Sequence, residues 1–547
     1  MDKSKARVAS NAIGRLYITM RHLMNRGFYK PMGVSGKTLR EALLELQPEI
    51  YGAIAEDKLE INGLFYVLDR LPEGIENCKF IHLTSDEGYK DTHIPVIIPP
   101  KRRRKCYLLD EEQINIEITR GRSDVYDILT HLTFLFIESH KIAHHVLRED
   151  EKDTIREWKK LEEALQKSEL TEEEIELALI HTSTIIGRSF TETKNVYLQF
   201  ANEHHPHRFL HLIYGLGKLA LDEIQNKDKR VITFSKTLRQ RIGHHIYGDI
   251  WATKLKQKLQ ELQLLNRPLH IISANMHSVM NYLYGKQSMQ TENAMDCFQQ
   301  LSQTENKADR KKVMRYAKQH GLHFIKDDTG TNIDVQIIDL AQVNLNHSYL
   351  EKSKASNAVL LVMDYAFGEQ AYESMDELLK PLRLEKEEIK LKVESISIMG
   401  KAGILEGDKG DIMLPTAHVF EGTADNYPFQ NELHLSDFQH EDLKVQCGPM
   451  ITVLGTSLQN KDVLEYFKTS TWGMIGLEME GAHYQKAIQS ASKIRKSISE
   501  GVTVRYAYYA SDNPLKTGST LASGGLGLTG VKPTYIITKK ILQQILR

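Results

Sequence analysis

The chain has 547 residues, with 71 lysines and arginines against 72 aspartates and glutamates and a formal charge of -1, so no whole-chain field draws nucleic acid or an anionic membrane, and any anion site has to be local. That length predicts two or three domains with ample core. The four scattered cysteines, Cys78, Cys106, Cys297 and Cys447, form no CxxC pair and no apolar run reaches membrane-spanning length, which predicts a reduced, soluble, cytoplasmic protein without a membrane partner.

Residues 1–265 are expected to form a mainly α-helical N-terminal domain with some strands, regulatory or oligomerising in role. Alternating apolar runs predict strands at Phe80–Thr84, His93–Ile98 and Ile114–Ile118. Between them Lys101-Arg102-Arg103-Arg104-Lys105 reads as a solvated loop. Arg120 and Arg122, flanking Gly121 ahead of a helix start, are a second candidate anion site. Ser123-Asp124 is expected to cap a helix carrying Val125, Ile128, Leu129, Leu132, Leu135 and Phe136. Glu149 to Leu177 predicts a pair of solvated helices broken near Ser168-Glu169-Leu170-Thr171. Histidines recur through this half, among them His131, His140, His144 and His204. His140 and His144, at i and i+4, share a helix face, but no Glu or Cys signature accompanies them and no metal site is expected.

After Asn266-Arg267-Pro268 short apolar strands alternate with helical stretches: Leu269–Ser273, Val335–Ile338, Val359–Met363, Ile396–Met399 and Val502–Ala507. This pattern predicts an α/β domain over 266–547 with ligands at the carboxyl ends of the strands, and a polar helical insertion around 286–330. Met399-Gly400-Lys401-Ala402-Gly403-Ile404-Leu405 reads as a glycine-bearing turn leaving a strand, suited either to close approach of an anion or sugar or simply to a tight βα connection. Gly410–Pro415 leads into Phe420-Glu421-Gly422-Thr423-Ala424-Asp425-Asn426-Tyr427-Pro428, a loop dense in carboxylate, hydroxyl and aromatic groups. Leu477-Glu478-Met479-Glu480-Gly481-Ala482 reads as a helix opening with acids, and Tyr509-Ala510-Ser511-Asp512 as an aspartate just after a strand. One carboxylate able to grip a sugar diol, with another placed to protonate a departing base, suits N-glycosidic bond cleavage.

In order and spacing these stretches, with Val362-Met363-Asp364-Tyr365-Ala366-Phe367-Gly368 as a further glycine-bearing element, resemble the purine nucleoside phosphorylase-type superfamily of phosphorylases and nucleosidases. Glu421-Gly422-Thr423-Ala424-Asp425-Asn426-Tyr427 and Ser511-Asp512-Asn513-Pro514-Leu515 are most similar to the catalytic domain of AMP nucleosidases. The resemblance covers about half the chain, from Pro268 on, and implies a three-layer domain with a mixed central sheet. It implies hydrolysis of AMP to adenine and ribose 5-phosphate by a homo-oligomer with no cofactor and a small purine nucleotide or nucleoside as partner.

What it implies for residues follows motif by motif. Glu480 falls on the ribose hydroxyls, Asp512 on purine N7, and Ser511 on the group that orients Asp512. Gly400, Lys401, Ala402 and Gly403 face the nucleophile or the 5′ side of the sugar, with His277 as a water- or phosphate-directing group. Gly368, Glu421, Thr423, Asp425, Tyr427, Glu478 and Met479 complete the expected substrate contacts. Tyr427, Phe429 and Tyr509 are candidate base-stacking rings, and Thr456 a candidate base contact. The phosphorylases place an arginine just ahead of the 400–403 turn; Ile396-Ser397-Ile398-Met399 has none, which favours water over phosphate as nucleophile. A purine nucleoside phosphorylase or a nucleosidase without a 5′-phosphate requirement, and a catalytically silent nucleotide sensor or scaffold, are the alternatives.

Overall fold

A computed structural model describes residues 3–547 except 90–91, 149–152, 168, 202–204, 228, 351–355, 386, 424 and 517–526. Ser168, His204 and Ala424 thus lie outside the described residues.

The N-terminal half builds a sheet from β1 (Phe28–Tyr29), β2 (Phe80–Thr84), β3 (Cys106–Leu108), β4 (Gln113–Glu117) and β5 (Val231–Phe234), in the order β1-β5-β2-β4-β3. Ile81, Leu83, Ile114, Ile116, Ile232 and Phe234 are buried, and the long Arg122–Val146 helix is buried along most of its length, its apolar residues in the core and several polar ones, Asp124, His131 and Glu138 among them, buried with partners. Of the expected His93–Ile98 strand only Ile97 pairs, as a bridge to Cys106; prolines at 95 and 99 remove the backbone donors a longer ladder needs. The acidic stretch forms helices over Arg156–Leu165 and Glu172–Ile185, the second opened by a Thr171–Glu174 capping box. His140 pairs with Glu223 at 2.9 Å.

The basic run departs from the solvated loop expected of it. Arg104 is 1 % exposed and donates to Asp124 Oδ1 at 2.8 Å and to Asp127, while Arg102 grips Asp127 with two parallel bonds of 2.8 and 2.6 Å. Asp124 and Asp127 sit one turn apart on the largely buried Arg122–Val146 helix, and a buried guanidinium needs such partners. Replacing Asp127 by alanine strips Arg102 of its carboxylate and leaves the buried Arg104 with Asp124 alone, and is expected to cost about 3 kcal/mol, read as a lowered midpoint in urea at unchanged slope.

The C-terminal half is built on a mixed ten-stranded sheet. Its strands are β6 (Leu269–Ser273), β7 (Leu322–Ile325), β8 (Val335–Asp339) and β9 (Val359–Met363), then, after a small ribbon of β10 (Leu382–Arg383) and β11 (Glu388–Ile389), β12 (Val393–Ile404), β13 (Ile412–Phe420), β14 (Asn426–Pro428), β15 (Val445–Thr452), β16 (Gly476–Glu478) and β17 (Thr503–Asp512). β6, β8 and β9 read as near-continuous apolar runs because both faces are covered: Ile271 and Leu361 point into one core, Ile272, Leu360 and Val362 into another. Helices 246–261, 370–378 and 481–489 close the first core, and helices 276–289, 294–302 and 531–545 the second.

The three-layer arrangement with a mixed central sheet expected here is modified. β17 pairs in parallel with β12 and antiparallel with β13, while β12 also pairs with β16 and β15 joins β16 to β13. Five strands therefore close into a ring, a barrel at one side of the sheet. Two local expectations change with it. Gly400–Gly403 is no turn, since β12 runs on to Ile404 against Tyr508–Asp512 and Gly476–Leu477, with a bulge between Ala402 and Gly403. Gly403 is glycine because a Cβ would stand 2.8 Å from a Leu477 methyl. Likewise Gly476–Glu478 is strand, and the helix begins only at Gly481 with Glu480 as its N-cap.

The N-terminal half packs against this ring through one continuous core, in which Ile128, Leu132 and Leu43 share a cluster with Val419, Ile451, Val453 and Leu477. No helix among the described residues is long and apolar enough to cross a membrane.

Candidate active site

A cavity of about 380 Å³ opens where β12, β16 and β17 end. Gly400, Lys401, Ala402, Gly403, Glu478, Met479, Glu480 and Ser511 are on its wall, together with Tyr509 and Thr456. Ring closure brings these together although they lie more than a hundred residues apart in sequence.

Glu480 is held from a third segment: its Oε1 accepts the Gly368 N–H at 2.9 Å. Gly368 has φ of +56°, and a Cβ there would overlap the Ser123 hydroxyl of the N-terminal half, so only glycine fits. Burial and the neighbouring Glu478 charge push the Glu480 carboxyl up to about 7, with Gly368 N–H and the more distant Arg120 pulling the other way. Glu478 behaves oppositely. Burial works against its charge, but His418 Nδ1 at 3.3 Å, the Thr452 hydroxyl at 2.5 Å and the backbone N–H groups of Glu480 and Gly481 outweigh it and hold the carboxyl below its ordinary value. The pair therefore divides its protons, one acid kept ionised and its neighbour poised near neutrality.

Asp512 ends β17 with 2 % exposure. Its Oδ1 accepts from the Ser511 hydroxyl at 2.6 Å, while the buried Oδ2 has no partner among the described residues. Burial raises its pKa, opposed by Ser511 and by the charges of Lys409 and Lys401. Asp512 is not itself on the cavity wall; Ser511 is, and its hydroxyl joins the carboxyl to the cavity.

The N-terminal half supplies a side of this cavity that sequence reasoning missed: Tyr66, Arg70 and Arg102. The Arg70 guanidinium lies over the Tyr66 ring at 3.3 Å, and Arg102 is fixed by Asp127. The available signal was the pair of acids, Asp124 and Asp127, on an apolar helix, which demanded buried cations from somewhere.

Lys401 and Tyr509 also line a second cavity, of about 520 Å³. Its wall carries Asn275, His277 and Ser278 from the start of the Met276–Met289 helix, Gly530 and Val531 from the start of the Val531–Ile545 helix, and Arg310; among the described residues no carboxylate lines it. Asn281, 4 % exposed, also lines it, and its Oδ1 is unpartnered among the described residues. Burial lowers the His277 pKa, with the nearby Arg310 adding to it.

The loop after β13 is elsewhere. Glu421 is buried, accepts from Leu454 N at 3.4 Å and is pushed up to about 7 by burial. Thr423 and Asp425 line a third cavity with Arg122 and Glu369, and Tyr427 pairs with His418 along β14. None of these four is on the wall of the Glu480 cavity. Phe429 packs against His418 with ring centroids 5.4 Å apart. Among the described residues no group of three or more histidines, cysteines or acids is placed to hold a metal ion.

Fold and site together define a mixed α/β protein with a ring-closed sheet and a carboxylate pair, Glu478 buried and Glu480 half-buried, on the wall of a cavity. The chain belongs to a family of unknown function, DUF6909, whose model matches residues 37–304 and 295–547. Comparison with curated proteins gives no match. Among solved structures it is similar to a Campylobacter jejuni 5'-methylthioadenosine/S-adenosyl homocysteine nucleosidase, at 12% identity over 51% of this chain and 99% of that one, with a TM-score of 0.32. A futalosine hydrolase mutant of Helicobacter pylori matches at 12% identity, 51% and 98% coverage and a TM-score of 0.31. A Schistosoma mansoni uridine phosphorylase in complex with thymidine matches at 11% identity, 51% and 89% coverage and a TM-score of 0.31.

Proposed function

We propose that the protein hydrolyses the N-glycosidic bond of a purine nucleotide, with AMP giving adenine and ribose 5-phosphate. The observation that carries this reading is the pairing of two cavities through Lys401: one holds the carboxylates, the other is basic, lined by no carboxylate among the described residues, and faced by two helix starts. A ribose anchored at Glu480 with its 5′ arm passing Lys401 would place a phosphate among His277, Arg310 and the backbone N–H groups of the 276–289 helix, where anions are favoured.

In this mechanism Glu480 accepts hydrogen bonds from the 2′ and 3′ hydroxyls, which restores its charge against burial and orients the sugar. The C1′–N9 bond breaks with its electron pair moving into the base, and Asp512 gives its proton to N7. Water forms the new C1′–O bond, and the proton it releases balances the one taken by the base. Glu478, held ionised by His418 and Thr452, adds negative charge near the sugar as positive charge develops there.

The test is base release from AMP, adenosine and methylthioadenosine, each with and without inorganic phosphate, followed by chromatography. Free adenine from AMP without phosphate is the expected result; strict dependence on phosphate with ribose 1-phosphate as product would establish the phosphorolytic alternative instead, and no base from any substrate would sink both. Lys401→Ala, which removes a cation common to both cavities, is expected to raise KM for AMP roughly tenfold or more while changing KM for adenosine little. Equal effects on both substrates would remove the phosphate from this pocket.

A further inference from the structure

The mechanism above leaves unused the wall that the N-terminal half gives to the Glu480 cavity. Arg70 follows the Ile61–Leu68 helix. Its guanidinium lies 3.3 Å over the Tyr66 ring, and Nη1 donates to the Tyr66 carbonyl at 2.7 Å. Tyr66 is itself fixed, meeting the His131 ring edge-on at 5.7 Å and the Tyr51 ring at 6.5 Å, while Tyr51 stacks on Phe134 at 4.3 Å and hydrogen-bonds His131 Nδ1 at 3.0 Å. We propose that Arg70 is a catalytic residue supplied by the N-terminal half, which hydrogen-bonds the purine and stabilises the negative charge the base takes up as the C1′–N9 bond breaks. Its catalytic role rests on the proposed glycosidic reaction; its contact with a purine does not.

Of the three neighbouring arginines, two are matched by acids. Asp127 takes Arg102, and Asp124 and Asp127 take Arg104. Arg70 has no carboxylate within ion-pair distance among the described residues. Its Nε is buried without a partner among them, and its Nη2 donates to none of them. Burial lowers its pKa, so its charge sits in the cavity wall at a desolvation cost that a negative or electron-rich ligand offsets. A half-buried guanidinium with unused donors on a cavity wall is therefore built to meet an acceptor that arrives from outside the chain.

Position within the cavity makes that acceptor the base and not the phosphate. β16 lies between β12 and β15. Lys401 and Ser511 stand on the β12 side, where the second cavity begins, and Val453, Thr456 and Gln459 follow β15 on the other. The N-terminal wall belongs to the β15 side: Tyr51 hydrogen-bonds Ser457, and Asp127, which holds Arg102, encloses a small cavity with Gly455 and Ser457. A purine with N7 at Asp512 and its sugar at Glu480 lies across Leu477 toward Val453, and the edge remote from Asp512 meets Arg70. When the bonding pair of C1′–N9 enters the ring, Asp512 neutralises it at N7 and Arg70, keeping all its protons, holds the charge spread to the other ring nitrogens. Hydrogen bonds to a charged acceptor are roughly twice as strong as those to a neutral one, so this contact tightens in the transition state and raises kcat.

The experiment compares the full-length wild type with Arg70→Met, which keeps an unbranched chain on Tyr66 and removes the charge. Base release is followed from AMP, from adenosine and from 6-chloropurine riboside 5′-monophosphate, whose electron-poor base leaves more readily. Arg70→Met is expected to lose roughly 10²-fold in kcat on AMP, the size of one charge-stabilising donor, with the same fold-loss on adenosine and a loss of roughly tenfold or less on the chloropurine. Adenine affinity, read by calorimetry without turnover, is expected to fall roughly tenfold. Equal losses on AMP and the chloropurine would make Arg70 structural, and a loss on AMP that adenosine does not share would move Arg70 to the phosphate; either overturns the proposal. If Arg70→Met does not fold, Arg70→Lys carries the same comparison, expected to lose roughly tenfold on AMP and less on the chloropurine, because it keeps the charge and loses the planar fork. A wild-type chain that releases no base ends the reaction and the catalytic role together, while adenine calorimetry still decides whether Arg70 touches a purine. A base-releasing chain that Arg70→Met leaves unchanged refutes this residue alone.

Discussion

Replacing Asp512 by asparagine is expected to lower kcat for base release by about 10²- to 10⁴-fold, the span of general acid catalysis, with a much smaller change in KM. The asparagine amide retains the volume and can still take the Ser511 hydroxyl, so the wall and the sugar anchor survive. What disappears is the proposed proton donor, a buried carboxyl whose second oxygen has no partner among the described residues. An unpartnered oxygen alone does not mark an acid, since the structural Asp124 also has one; what sets Asp512 apart is its Ser511 link to the wall of the Glu480 cavity. Ser511→Ala separates positioning from proton delivery: it removes the bond of 2.6 Å that links Asp512 to the wall and leaves the acid itself. Since Ser511 pulls the Asp512 pKa down, its loss is expected to shift the alkaline limb of the pH–rate profile upward along with a lower kcat. Asp512→Asn with wild-type turnover, measured in single-turnover assays of adenine release, would remove Asp512 from the chemistry.

How far the sequence could be read depended on the range of the interactions involved. Apolar runs such as Leu269–Ser273 and Val359–Met363 announced central strands because each is buried on both faces, which composition alone reveals. The extent of β12 was not legible. Gly400–Gly403 has the local chemistry of a turn, and only pairing with Tyr508–Asp512, over a hundred residues away, keeps it in a strand. The same non-local closure turned an open sheet into a ring. Within the site, Glu478, Glu480, Lys401 and Ser511 meet at one cavity, whereas Thr423 and Asp425, whose motif is equally distinctive in sequence, line another. A motif records which residues belong together and leaves unsaid which face of the sheet they occupy. Arg102 was read as solvated because its partner, Asp127, lies in the next helix; a charge run betrays burial only when the compensating acids are sought on apolar elements.

The second large effect concerns Glu480 and shows in pH dependence. With its carboxyl pushed up to about 7 by burial and by Glu478, the free protein holds Glu480 mostly neutral in mild acid and mostly ionised above neutrality. If the ionised form binds the ribose diol, kcat/KM climbs with pH through about 7, falling roughly tenfold for each pH unit below it, as one required deprotonation dictates. Glu480→Gln keeps an oxygen for the Gly368 N–H and removes the charge, so kcat/KM is expected to drop by roughly 10- to 100-fold and to lose this acidic limb. Gly368→Ala acts on the same limb from outside the cavity: the added methyl meets Ser123 and the positive φ is strained, the shifted backbone carries its N–H away from Glu480, whose pKa that bond lowers, and the limb is expected to move above 7. Glu421 is also raised to about 7 by burial, which makes the comparison discriminating. A limb that persists in Glu480→Gln and vanishes in Glu421→Gln would transfer the titration to the loop after β13, and with it the claim that the sugar is held at the start of the 481–489 helix.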